Sequence, residues 1–135
     1  MKFQEINPNR ALEDYLETIY ELSKQSPLVK VSDIAIKLKV KKSSVSQMLT
    51  KLLKLDLIKR QKYKPVELTT AGLKIGKNIH DKHLTLEKFF DSLSIPKKIQ
   101  LKDIHGIEHY LSHTTIKQIK KLNTILKKHN IKIPL

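Results

Sequence analysis

The chain has 135 residues, no cysteine, no tryptophan and three glycines, with 27 Lys+Arg against 13 Asp+Glu and a formal net charge of +14. That composition excludes a disulfide framework, a thiolate nucleophile, a cysteine-based zinc finger and a Gly-rich phosphate loop. No apolar run reaches the roughly 18 residues of a membrane span, and MKFQEINPNR lacks the apolar core of a signal peptide, so a cytoplasmic protein without a membrane partner is expected.

In chain order, Asn7-Pro8 predicts a helix start, because proline is tolerated at the first helical position. Leu12, Leu16, Ile19, Tyr20 and Leu22 continue the helical period to about Ser26-Pro27. Glu13, Asp14, Glu17 and Glu21 gather acid charge on this segment. VSDIAIKL follows, with Ser32 expected as N-cap and Ile34, Ala35 and Leu38 as a short buried face. Lys39 to Lys42 lead into Val45, Met48, Leu49 and Leu52, spaced as one helical face. The opposite face carries Ser43, Ser44, Ser46, Gln47, Thr50, Lys51 and Lys54.

A short helix, a tight turn and a longer helix with a small-polar, basic face predict a helix-turn-helix. Residues 57–60 and 66–69 read as two short strands joined by the basic turn Gln61-Lys62-Tyr63-Lys64-Pro65, which makes a wing. Residues 30–64 hold eleven Lys/Arg against two acids, a net of +9, the electrostatic footprint of a nucleic-acid reader. Candidate DNA contacts are Ser32, Lys42, Ser43, Ser44, Ser46, Gln47, Lys51, Lys62, Tyr63 and Lys64. Ser44 and Gln47 lead as base readers, and the lysines as phosphate contacts.

Thr70 is expected to cap a long helix whose buried stripe is Ile75, Ile79, His83, Leu86, Phe90 and Leu93. Pro96 opens another helix, carrying Ile99, Ile104, Ile107 and Leu111. Ser112 caps a last one, carrying Ile116, Ile119, Leu122 and Leu126. This half is helical and too small for an enzyme domain, so dimerisation is its expected role, two reading heads then meeting two half-sites. The predicted fold is mainly α: a winged helix-turn-helix domain over residues 1–71, then an all-helical metal-binding and dimerisation domain over 72–135.

Three spacings collect metal-binding donors on helical faces: Asp14 and Glu17 at i, i+3; His83 and Glu87 at i, i+4; His105, Glu108 and His109 at i, i+3, i+4. Imidazole and carboxylate together suit Mn, Fe, Zn, Co or Ni. HGIEH also matches the HxxEH string of an inverted zinc-peptidase, but the residues after Glu108 supply neither a further ligand nor a substrate cleft. The chain is therefore read as no enzyme, with no small organic substrate.

The segments EDYLETIYEL, VSDIAIKL, SSVSQML, LTTAG and GIEHYLS, in this order and at these separations, resemble the metal-dependent repressors of the diphtheria toxin repressor and manganese transport regulator family. The resemblance covers residues 11 to 126 and fits the short form, without a C-terminal SH3-like domain. It implies a homodimer that binds a palindromic double-stranded operator of metal-uptake genes. A divalent transition metal, Mn²⁺ or Fe²⁺, would act as co-repressor, with Zn²⁺ or Co²⁺ as substitutes in vitro. The alternative is a winged-helix regulator that no longer depends on metal.

Carried over position by position, the family's ligands fall on Asp14, Glu17, His83, Glu108 and His109. His105 stands where the manganese branch usually has Glu and the iron branch often has Cys. A neutral imidazole there removes a charge and a bridging oxygen, which favours Fe²⁺, Co²⁺ or Zn²⁺ over Mn²⁺. Asp14 resembles the manganese branch, because the iron branch has Met there. Glu87 with His83 resembles the iron branch's ancillary site, although Leu101 stands where that site has histidine. Pro65 replaces a common glycine in the wing and stiffens it.

Overall fold

The computed structural model describes residues 9–61 and 64–135. The chain forms two compact units, one ending at His80 and the other beginning at Asp81.

The first unit opens with α1 (Arg10–Gln25). The expected helix start at Asn7-Pro8 lies outside the described residues; the helix proper begins at Arg10, with Asn9 in the N-cap position. Next comes α2 (Val31–Leu38). Its N-cap is Lys30 rather than Ser32: the Asp33 carboxylate accepts a hydrogen bond from the Lys30 N–H at 3.2 Å. Ser32 therefore sits inside the first turn, and an acid at the positive end of the helix dipole steadies the start. Lys39 stops α2 in the left-handed region, at φ 56°, and the Val40 N–H returns to the Ala35 carbonyl at 3.0 Å. This closure satisfies carbonyls that would otherwise be orphaned and turns the chain sharply into α3 (Lys42–Lys54).

Val45, Leu49 and Leu52 of α3 are fully buried, with Met48 partly so. They join Leu16 and Ile19 of α1 and Ile34 of α2 in one core, which fixes α3 with its polar face outward. The wing is an antiparallel pair, β1 (Ile58–Lys59) and β2 (Glu67–Leu68), in register Ile58 to Leu68 and Lys59 to Glu67. Ile58 and the flanking Leu57 and Val66 point into the core, while Lys59 and Arg60 stay in solvent.

The long helix α4 (Thr70–Ser92) contributes residues 70–80 to this unit and 81–92 to the second. Its cap is Thr69, not Thr70: the Thr69 hydroxyl accepts from the Gly72 N–H at 3.1 Å and donates to the Asp56 carbonyl at 2.7 Å. Two glycines permit close approach. A Cβ on Gly72 would stand 1.9 Å from the Leu57 carbonyl oxygen, and one on Gly76 would stand 2.6 Å from that of Leu16.

The second unit adds α5 (Lys97–Ile107) and α6 (His113–Lys128). Leu86, Ile104 and Ile116 form its small core, with Phe90, Leu111 and Ile119 packed around it. Ser112 caps α6, its hydroxyl accepting from the Thr115 N–H at 3.2 Å. The expected buried faces are only partly realised. Ile99, Ile107 and Leu122 are exposed, and α5 buries Gln100 instead. The Gln100 amide donates to Asp91 Oδ1 at 2.7 Å and to the Ile95 carbonyl at 2.8 Å, which settles one polar end of this buried side chain. Asn123 of α6 donates to the Thr85 carbonyl of α4 at 3.0 Å, and Lys82 to the Leu111 carbonyl at 2.7 Å.

Candidate functional site

The reading head follows from the packing of α3. Because Val45, Leu49 and Leu52 face the core, Lys42, Ser43, Ser44, Gln47, Thr50 and Lys51 are exposed, and Ser46 is half-buried. The Thr50 hydroxyl donates to the Ser46 carbonyl at 3.0 Å, so it bonds along the helix. Ser32, at the start of α2, is half-buried. Lys64 is exposed in the wing, while Lys62 and Tyr63 lie outside the described residues. Every described Lys and Arg between residues 30 and 64 is exposed, so the charge found in sequence is surface charge. Lys30, Arg60 and Lys64 share one groove beside the wing with Leu28, Val31 and Val66, so the cations there border a mainly apolar surface.

In the second unit, the donors gather around Glu108. The helical bond from the Glu108 N–H to the Ile104 carbonyl persists at 2.9 Å, but α5 ends at Ile107. Glu108 is thus the C-cap and His109 lies beyond it, so the donors occupy a helix end rather than one continuous helical face. The Glu108 side chain is 1% exposed and meets three imidazoles. His83 Nδ1 lies 2.9 Å from Oε2, His109 Nε2 3.5 Å from Oε1, and His105 Nδ1 3.8 Å from Oε1. The His105 and His109 rings stack edge to face, 5.9 Å between centroids. A buried carboxylate needs compensating positive charge or hydrogen bonds. Imidazoles and a carboxylate at these separations are the donor chemistry of a borderline divalent cation.

Glu87 is placed differently. It lies 3.4 Å from His83 Nε2, and it also takes the Lys97 ammonium at 3.0 Å. Lys97 reaches Asp91 as well, at 3.0 Å. Contact with Glu87, then Asp91, raises the Lys97 ammonium above its ordinary value. The Gln100 amide, ahead of Lys97, holds the Asp91 carboxyl below its own. A lysine therefore already supplies a cation at Glu87.

In the first unit, Asp14 and Glu17 lie on one face of α1, both half-buried. Glu17 stands 4.0 Å from His80 Nδ1, and Glu21 stands 3.2 Å from the same atom. Reading the sequence had not singled out His80. It falls one residue beyond Ile79, off the apolar stripe of α4, and only the packing of α4 on α1 brings it to the acids.

An exposed, basic helix-turn-helix with a wing, followed by a helical unit rich in N and O donors, defines a DNA-binding protein that carries a metal-type donor set. Two family models match nearly the whole chain: "Iron dependent repressor, N-terminal DNA binding domain" over residues 9–66, and "Iron dependent repressor, metal binding and dimerisation domain" over residues 69–133. The chain belongs to this family of metal-dependent transcriptional regulators.

It is 40% identical over 115 residues to the HTH-type transcriptional regulator MntR of Shouchella clausii, covering 85% of this chain and 80% of that one. It is 39% identical over 112 residues to MntR of Bacillus subtilis, covering 83% and 79%. The solved metal-dependent transcriptional regulator MtsR superposes with a TM-score of 0.76 at 30% identity, over 87% of this chain and 54% of that one. The manganese regulator SloR gives 0.75 at 30%, over 96% and 61%. The chain thus spans little more than half the length of those two solved relatives. Among the described residues, no helix is long and apolar enough to cross a membrane.

Proposed function

We propose that this chain is a cytoplasmic, homodimeric repressor of metal-uptake genes, activated by Mn²⁺ or Fe²⁺ and acting on a palindromic operator. The observation that carries the reading is Glu108, a buried carboxylate faced by His83, His105 and His109 in a chain that its family's two models cover. A regulator that had lost metal dependence would be free to lose these donors, and they are present.

Asp14, Glu17, His83, His105, Glu108 and His109 are the proposed ligands; Glu87, which joins no group of three donor residues among the described ones, is left out of the set. A bound divalent cation supplies positive charge that lets several carboxylates occupy one centre. Asp14 and Glu17 belong to the unit that carries the reading head, and the other four to the helical unit. In this reading, metal ligation is coupled to the DNA-competent state of the reading heads. A tenfold to 100-fold preference of the metal for the DNA-competent arrangement corresponds to about 1.4–2.7 kcal/mol of coupling, and operator DNA must tighten metal binding by the same factor. SloR is a manganese regulator, which supports Mn²⁺; the third imidazole, His105, favours Fe²⁺ over Mn²⁺, with Co²⁺ or Zn²⁺ as substitutes in vitro.

Dimerisation is supported by the exposed Ile99, Leu101 and Ile107 of α5, large apolar side chains on a helix of the unit that the family uses for it. The bases are read by Ser44 and Gln47. Phosphates are held by Lys42, Lys51, Lys62 and Lys64, with Ser32, Ser43, Ser46 and Tyr63 as supporting contacts. Glu108→Gln separates the readings: operator affinity that still rises with metal to the wild-type extent would contradict this ligand set.

A further inference from the structure

We propose that Glu17, Glu21 and His80 form a second divalent-cation site, contained within the DNA-binding unit and distinct from the donors around Glu108. It shares only Glu17 with the proposed sensor set, and its existence does not depend on that reading.

One ligand atom from each of the three residues lies within 4.8 Å of the others. Glu17 and Glu21 are four apart on α1, a spacing that places like charges side by side and destabilises the helix unless a cation intervenes. His80 Nδ1 is hydrogen-bonded to Glu21 Oε1 at 3.2 Å and lies 4.0 Å from Glu17. All three side chains are largely withdrawn from solvent, at 12% exposure for Glu17, 26% for Glu21 and 20% for His80.

The arrangement is held from several sides. Gly76, one turn before His80, lets α4 approach the α1 backbone at Leu16. The Tyr20 ring meets the His80 imidazole edge to face at 5.4 Å, which sets the ring plane. Lys37 of α2 pairs with Glu21 Oε2, while Oε1 faces His80. One nitrogen and two carboxylate oxygens, with water completing the shell, suit Zn²⁺, Mn²⁺, Fe²⁺ or Co²⁺. Through Glu21 and Lys37 this site touches α2, the first helix of the helix-turn-helix, and through Glu17 it draws on a ligand of the sensor.

The test is equilibrium dialysis of the full-length protein against Zn²⁺ and Co²⁺, with circular dichroism confirming that each variant is folded. The Glu108→Gln, His109→Ala double variant should retain one ion per chain. Adding His80→Ala should weaken that ion at least tenfold, and adding the conservative Glu21→Gln instead should also weaken it. Mn²⁺ should broaden the His80 imidazole resonances in the double variant. The proposal is overturned if the double variant binds no ion, or if His80→Ala and Glu21→Gln each leave the retained ion within twofold. Should the double variant lose no ion relative to wild type, it is the sensor reading that fails, which keeps the two outcomes apart.

Discussion

His83 Nδ1 lies 2.9 Å from Glu108 Oε2, joining the middle of α4 to the end of α5 across 25 residues of sequence. The contact makes Glu108 the centre of the donor group, since His105 and His109 face its other oxygen. Replacing Glu108 by Gln keeps the shape and removes the charge. Metal affinity should fall by about 10–100-fold or more, and metal-dependent operator binding should fall with it. Isothermal titration with Mn²⁺ checks the first effect, and fluorescence anisotropy of a labelled operator the second.

Salt dependence tests the charge on the reading head. If Lys42, Lys51 and Lys64 each neutralise one phosphate in both subunits, log K against log salt should have a slope of about −5. Lys51→Ala should reduce that magnitude by about 2, one for each subunit. A slope near zero would remove the lysines from the interface.

Base reading is a separate matter. Ser44→Ala or Gln47→Ala should cost about 1–3 kcal/mol of operator discrimination, because each removes a hydrogen-bonding group from the exposed face of α3. Affinity for unrelated DNA should change little. Competition binding between operator and scrambled duplexes measures the difference.

Two glycines predict opposite stability effects. Gly76→Ala would drive a Cβ against the Leu16 carbonyl and should destabilise the fold by about 1–3 kcal/mol. Gly106 has nothing within 4 Å of where a Cβ would stand and lies in α5, so Gly106→Ala should stabilise by about 0.5–1 kcal/mol. Urea melts of both variants check the signs.

Acid titration should report on Asp91. Its carboxyl is lowered from 3.8, first by the Gln100 amide and then by Lys97. A lowered folded-state value means that Asp91 adds stability above its unfolded value, and that this contribution is lost as pH falls through the folded one. Gln100→Met should move the Asp91 titration upward, as read by NMR, and Asp91→Asn should flatten the acid limb of the stability curve.

Most of the reading head was legible because its core is periodic: Val45, Leu49 and Leu52 fix which way Ser44 and Gln47 point. Cap positions were less legible, because Asp33 reaches back to Lys30 and Thr69 reaches forward to Gly72, contacts that depend on local geometry rather than residue type. The faces of α5 misled, because a small unit buries little: Ile104 goes inside, Ile99 and Ile107 stay out, and Gln100 takes an interior place through its hydrogen bonds. The donors around Glu108 were visible as spacings. His80 was not, because its acids lie about 60 residues away on another helix and no local period marks it.

Coupling between metal and operator binding is read by titrating the apo-protein with Mn²⁺, Fe²⁺, Co²⁺ and Zn²⁺ at fixed ionic strength while operator affinity is measured. At least one of these ions should tighten operator binding by about 10–100-fold, and a chelator should reverse the effect. Equal operator affinity with saturating metal and with chelator, for all four ions, would contradict that coupling.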